Sequence, residues 1–354
     1  MAEQEGTAMY SESDIDGAVA AGAISPAAAA AFRDHVAAAH RAPAVDEEHF
    51  RLLTGFNDIF VSIAVVLLLA AVEQIGQRIA VPLGGVAVAV TAWALATFFT
   101  ARRRMALPSI ILLLAFVGGC AGTVASGWIQ AIGSDAQPSP QLQALIGAGT
   151  ATVGAVAANL HWRRFAVPIT VAAGAVTLVG LLVALVAAAM PDLANKLVWP
   201  VLLIAGAGVF AVAMRWDLSD RERRTRRSDV AFWLHLAAAP MIAHSTFQML
   251  GVFNGDIGWP VALVVLALYV AFAFVALAVD RRALLVSGLV YVLYALYALF
   301  RSAGAVELGA SLTALVIGSA LLIMSAFWQP MRRAAVARLG AMGRRLPPVA
   351  LATA

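Results

Sequence analysis

Ten apolar runs follow one another between positions 57 and 327, each about 16–27 residues long and separated by short polar connections. A helix needs about 20 apolar residues to cross the hydrocarbon core of a bilayer, so each run has the length of one crossing. They lie near 57–73, 79–100, 107–132, 141–161, 166–189, 197–214, 230–252, 258–279, 283–300 and 306–327. In hydrocarbon only a helix or a closed barrel satisfies its own backbone. The apolar–polar alternation of barrel strands is missing from these runs. The expected fold is therefore all-α: a polytopic transmembrane helix bundle of about ten spans with a small N-terminal helical segment. Composition agrees, since 62% of the 354 residues are hydrophobic and 12% charged, against roughly 45–50% and 25% in a soluble domain.

The basic residues set the expected orientation. Arg102–Arg104, Arg163 and Arg164, six arginines from Arg215 to Arg227, and Arg281 with Arg282 occupy alternate connections. Arg33, Arg41 and Arg51 precede the first run, and Arg332, Arg333, Arg338, Arg344 and Arg345 follow the last. These make 21 of the 24 basic residues; only Arg78, Lys196 and Arg301 fall on the other side. The positive-inside rule then places both termini in the cytoplasm. The net charge of +4 thus reflects topology, and no continuous basic face of a nucleic-acid binder is present. Trp128, Trp199 and Trp259 near the external ends, with Trp162, Trp216 and Trp328 near the internal ends, fit the aromatic belts of a bilayer. No cleavable signal peptide is apparent, because the first apolar run begins near Ile59.

Residues 1–56 form the expected cytoplasmic segment. Ser11 to Ala21 reads as a short amphipathic helix with Ile15 and Val19 on one face, broken at Gly22. Ser25 followed by Pro26 is a helix start, a hydroxyl cap and then a ring that costs no hydrogen bond at the first position. That helix runs to about His40, Pro43 ends it, and Asp46 to Leu53 is a third. The stretch Asp14-Ile15-Asp16-Gly17-Ala18-Val19-Ala20-Ala21-Gly22-Ala23-Ile24-Ser25-Pro26, followed by an alanine-rich helix and many spans, resembles a broad group of bacterial multi-pass membrane proteins of unknown function. The resemblance implies a bacterial inner-membrane protein and brings no functional residues with it. The bundle occupies 57–329, and 330–354 is read as a basic cytoplasmic tail. Its halves, 57–189 and 197–327, have similar lengths, and five spans each would make them inverted repeats.

Ionisable or hydrogen-bonding residues inside a span are functional candidates by default. The seventh run is richest, with His235, His244, Ser245, Thr246 and Gln248 around Pro240. Proline frees a backbone carbonyl and can kink the helix. His244 and Gln248 share a face, whereas His235, nine residues before His244, falls on the opposite side of a straight helix. Tyr291, Tyr294 and Tyr297 recur in the ninth run, and their hydroxyls need partners in an apolar setting. His235, His244, Gln248, Tyr291 and Tyr294 are the expected pocket. For the histidines, proton handling, metal binding and haem ligation by His235 with His161 stand beside simple packing. Asn57, Asp58, Glu73, Gln74, Asn159, His161 and Trp162 read as interfacial, and Arg301 could pair with Glu307. The small-residue stripes Gly118, Gly119, Gly122 and Gly147, Ala151, Ala155 read as helix packing or as a path lined by backbone.

Arg221, Arg223, Arg224, Arg226 and Arg227 are an expected contact for anionic lipid. The single Cys120 allows no internal disulfide and no cysteine metal cluster. No Walker loop, HExxH or GxSxG carries catalysis, so no enzyme and no cofactor are expected. The preferred function is a small-molecule permease or binding protein. Alternatives are a non-transporting accessory or sensor protein with a cytoplasmic partner, and a haem-binding redox protein. Reporter tags after Arg104 and at Ala354 should report one compartment and a tag after Gln137 the other; opposite compartments for the first two would overturn the topology.

Overall fold

The computed structural model describes residues 12–39, 56–133, 137–221, 223, 225–252, 259–302, 308–343, 346 and 347. Among these residues the chain forms thirteen α-helices and one short 3₁₀ turn, with no strand. The two N-terminal helices belong to one unit of the chain, and all later helices to another.

In the first unit α1 (Glu12–Ala20) and α2 (Pro26–Ala39) form a helical hairpin. Gly22 makes the turn with a positive φ of 71°, a conformation that suits a residue without a Cβ. The Ser25 hydroxyl accepts the Ala28 amide at 3.1 Å, capping α2 as its Ser-Pro start predicts. Arg33 of α2 pairs with Asp16 of α1 at 2.7 Å. The helix expected over Asp46–Leu53 lies outside the described residues, as does the expected Arg301–Glu307 pair.

The second unit holds one helix for each apolar run: α3 (Phe56–Ile79), α4 (Val81–Phe99), α5 (Ala106–Ile132), α6 (Pro140–Phe165), α7 (Ile169–Ala189), α8 (Ala194–Ser219), α9 (Arg226–Met249), α10 (Trp259–Val279), α11 (Ala283–Ser302) and α12 (Gly309–Ala326). Among the described residues nine of these are long and apolar enough to span a membrane. The other, α11, has a shorter apolar stretch, Leu285–Phe300. At 1.5 Å per residue it rises about 24 Å, within the mismatch a bilayer absorbs. Leu67, Ile204 and Leu322 are among many large apolar side chains left exposed on the bundle. Lipid is their solvent. The protein is an integral membrane protein.

Sequential helices are neighbours for most of the bundle, and α5 also packs on α3, α7 on α9, and α9 on α11. The two halves do not pack alike. In the first, α5 rests on both α3 and α4; in the second, its positional counterpart α10 rests on α11, and α9 bridges to α11. Past α12, residues read as a basic tail instead begin with a further helix, α13 (Trp328–Arg338), which packs on α10 and α12.

Small residues set the closest helix approaches. A Cβ added at Gly119 of α5 would lie 2.8 Å from the Gly85 carbonyl oxygen and 2.9 Å from the Ala89 amide nitrogen of α4. A Cβ at Gly85 would meet the Gly119 carbonyl at 2.7 Å. These two backbones touch directly, which is how small residues hold helices together where no hydrophobic effect operates between them. Gly118, one residue away and on another face, would meet nothing within 4 Å. Gly119→Leu should therefore lower the melting temperature in detergent, at a cost of about 1–3 kcal/mol for overpacking. Gly118→Leu should melt close to the wild type; equal losses for both would argue against the α4–α5 contact.

Candidate functional sites

Polar chemistry gathers in three places, and the two histidines of α9 belong to different ones. Nine residues turn a helix through about two and a half revolutions, so His235 and His244 face opposite ways about 13 Å apart along the axis. Pro240 lies between them within an unbroken helix.

His235 enters a buried ionic cluster. Its Nε2 lies 2.8 Å from Asp217 Oδ2, near the end of α8. Arg281, in the turn between α10 and α11, donates from Nη2 to Asp217 Oδ1 at 2.6 Å and from Nε to Oδ2 at 3.3 Å. This is the fork geometry that makes arginine–carboxylate pairs strong. Arg281 Nη2 also donates to the Ser228 carbonyl of α9, and the guanidinium lies 6.0 Å from the Phe232 ring. Asp217, His235 and Arg281 are each at most 3% exposed. His235 Nδ1 has no hydrogen-bond partner among the described residues and Phe210 closes over the ring, which fits the tautomer with its proton on Nε2.

Asp280, next in the chain to Arg281, forms the second half of the cluster. Its Oδ2 accepts from Arg223 Nη1 at 3.0 Å, and its Oδ1 accepts from Trp328 Nε1 of α13 at 2.9 Å. Arg332 of α13, wholly buried, brings Nε to 3.3 Å from the same Oδ1. Its Nη2 holds the Pro347 carbonyl at 2.8 Å. Asp280 and Arg223 both adopt left-handed backbone, with φ of 64° and 53°. Asparagine and aspartate enter that region most easily among residues with side chains, so the cost falls mainly on Arg223. Its contacts to Asp280 and to the Val279 and Asp280 carbonyls offset that cost. Burial pulls the Arg223 guanidinium below its ordinary value, with Asp280 and Asp217 opposing.

This arrangement corrects the expectation that Arg223 faces lipid. A buried Asp280 must be neutralised, and Arg223 turns inward to do it. Arg221 reaches the Leu346 carbonyl and Arg226 the Ala166 carbonyl, while Arg226 and Arg227 stay exposed. Arg224 lies outside the described residues. Asp217, Asp280, Arg281 and Arg332 were not read as site residues, because arginine-rich ends already had a sufficient explanation in topology. The signal available was position: Asp280 directly follows an apolar run and Asp217 comes three residues after one, beside Trp216, and both adjoin arginine-bearing segments.

His244 lies elsewhere. Its Nδ1 meets the Tyr291 hydroxyl of α11 in a short contact, and Trp199 of α8 stands edge-on to its ring at 5.1 Å. Tyr291 stacks on Phe247 at 4.3 Å. Gln248 is half-buried one turn beyond His244. Tyr294 is 41% exposed; a three-residue step falls 60° short of a full turn, so the tyrosine row winds off the face that Tyr291 buries. The structure thus joins His244 to Tyr291 and separates His235 and Tyr294 from them. Ser245 and Thr246 bond back to the carbonyls of Met241 and Ile242 in their own helix.

His161, expected at an interface, is fully buried among Trp93, Phe116 and Phe165, with Nδ1 3.3 Å from the Thr170 hydroxyl. Asp58 is also buried, at 2% exposure. The aromatic box engages the His161 ring and the Asp217 carboxylate engages that of His235, so neither is presented to the other as a haem pair. No group of three His, Cys, Asp or Glu able to hold a metal ion occurs among the described residues.

The third place is a groove of about 520 Å³ between α3, α4 and α5. Val66, Leu69, Val88 and Ala115 line its deep end, Gly118 and Gly122 its floor, and Glu73, Gln77 and Ser126 its other end. Gln77 donates to Glu73 Oε1 at 3.0 Å. The groove exists because α5 presents glycine where α3 stands off: Gly118 and Gly122 have no neighbouring atoms within 4 Å of an added Cβ. None of its lining residues comes from α9 or α11. The chain matches no family model, no curated protein and no solved structure.

Chemically the cluster pairs two carboxylates with three guanidiniums, an imidazole and an indole. It ties α8, α9 and α13 to the turn between α10 and α11. Removing one partner of such a pair strands a buried charge, at about 3–5 kcal/mol. Asp217→Ala should therefore lower stability by that order in detergent denaturation. Adding Arg281→Met should recover part of the loss. A double variant as unstable as the sum of the single changes would mean the pair is not what holds these helices.

Proposed function

We propose that the protein is a non-catalytic binding protein or permease for a small, membrane-partitioning molecule, and that the α3–α5 groove is its site. The observation that carries this reading is the groove itself: about 520 Å³ of open space, apolar along its length, with polar side chains gathered at one end. Ligand sites are commonly of about 300–1,000 Å³, mainly apolar, with a few placed polar groups. Glu73 is the one ionisable side chain of the lining. The His244–Tyr291 contact is read as packing that orders α9 against α11.

The arginine bias and the resemblance support a bacterial inner membrane with both termini in the cytoplasm. On that orientation the groove faces the outer leaflet, because α3 ends and α4 begins at the arginine-poor side. An accessory or sensor role remains the second reading. It is favoured by the hairpin of α1 and α2, whose Ser25 cap and Arg33–Asp16 pair make an ordered cytoplasmic element. Deleting residues 1–45 separates the two: a binding protein or permease keeps its ligand, whereas an adaptor loses its partner.

A panel of lipophilic compounds should contain members that raise the melting temperature of the purified protein. A ligand at about 100 times its Kd stabilises by about 2.7 kcal/mol. Gly118→Leu, which fills the groove without meeting a neighbour, should abolish those shifts while leaving the unliganded melt in place. Shifts that persist in this variant would move the site away from the groove.

A further inference from the structure

Resting on the groove as the binding site, its dimensions and polarity specify the ligand further. On α3 the lining runs from Val66 to Gln77, and on α5 from Ala115 to Ser126, eleven helical steps in each case. At 1.5 Å per residue this is about 16 Å, or half of a hydrocarbon core about 30 Å thick. The groove is thus one leaflet deep. Its lining is apolar at one end, with Val66, Leu69, Val88 and Ala115, and polar at the other, with Glu73, Gln77 and Ser126; one end would then stand near the bilayer centre and the other near its surface.

The charge at that surface end has one sign. Glu73 is the single ionisable residue of the lining, and no basic side chain contributes to it. Gln77 supplies one hydrogen bond to the carboxylate, which can accept about four. Gly118 and Gly122 of α5 line the groove together with Leu69 and Ala70 of α3, and a Cβ added at either glycine would meet nothing within 4 Å. Such a channel suits one unbranched chain better than a fused ring system or a pair of chains. A carboxylate favours a cationic head and disfavours an anionic one.

We propose that the groove takes a single-chain amphiphile with an ammonium head, its alkyl chain lying along Gly118 and Gly122 and its head meeting the Glu73 carboxylate from the outer leaflet. The test uses the full chain in phosphatidylcholine nanodiscs and three dodecyl probes carrying a diazirine, ending in ammonium, alcohol or sulfate. Photolabelled residues are mapped by peptide mass spectrometry. The ammonium probe should label the peptides containing Val66 and Ala115 at least tenfold more than the sulfate probe. Glu73→Gln should bring it down to the level of the alcohol, and Gly118→Leu should remove groove labelling by all three.

Equal labelling by all three heads, unchanged in Glu73→Gln, would overturn the ammonium assignment and leave the groove as a site for neutral amphiphiles. Labelling by none of them would remove the site itself. If phosphatidylethanolamine in the discs erased the ammonium signal, a resident two-chain lipid would replace the single-chain occupant. Wild-type melting temperatures and monodisperse elution of both variants keep a folding defect from imitating any of these results.

Discussion

Hydrocarbon offers a peptide group nothing to bond with, and every other feature of this protein follows from that. Each crossing must close its own hydrogen bonds, so each becomes a helix. Lipid tails are also as apolar as leucine, so helices gain little by hiding leucine from them. What draws them together is close approach. The bundle is accordingly tightest where backbone meets backbone, at Gly85 against Gly119, while Leu67, Ile204 and Leu322 remain on its surface.

Charge enters such a medium only in company. Asp217 and Asp280 are buried near the arginine-bearing ends of the helices, and each collects donors from several segments of the chain. Desolvation of an ion pair can exceed its attraction, so the cluster is better understood as fixing which helix ends meet than as a source of net stability. Its directional bonds reach residues as far apart in the chain as Asp217 and Arg281, or Asp280 and Arg332. Packing of interchangeable small and aliphatic side chains could not specify those neighbours alone.

The opposite end of the bundle is organised differently. There α3, α4 and α5 leave space where α5 carries Gly118 and Gly122, and a Glu73–Gln77 pair sits at its edge. Glycine thus serves two purposes within two residues of sequence: Gly119 removes a Cβ so that helices can touch, and Gly118 removes one so that nothing does. The ion-paired cluster and the open groove divide the molecule into a part that is locked and a part with room for a guest.

The number, length and order of the membrane helices were legible in the sequence, because the hydrocarbon thickness is a ruler that each apolar run must match independently of its neighbours. The two N-terminal helices and the break between them were legible for a similar reason: Gly22, Ser25 and Pro26 act on their own backbone. Sites were not legible in that way. His235 and His244 stand in one polar helix, yet they face different partners, and only the placement of α8 and α11 assigns Asp217 to one and Tyr291 to the other. Arg223 and Arg281 read as topology markers until folding brought Asp280 and Asp217 to them. Periodicity and apolar length are properties of one segment, and they carried the helices; partnership between segments depends on how helices lie in three dimensions, and the groove at Glu73, like the buried arginines, was decided there.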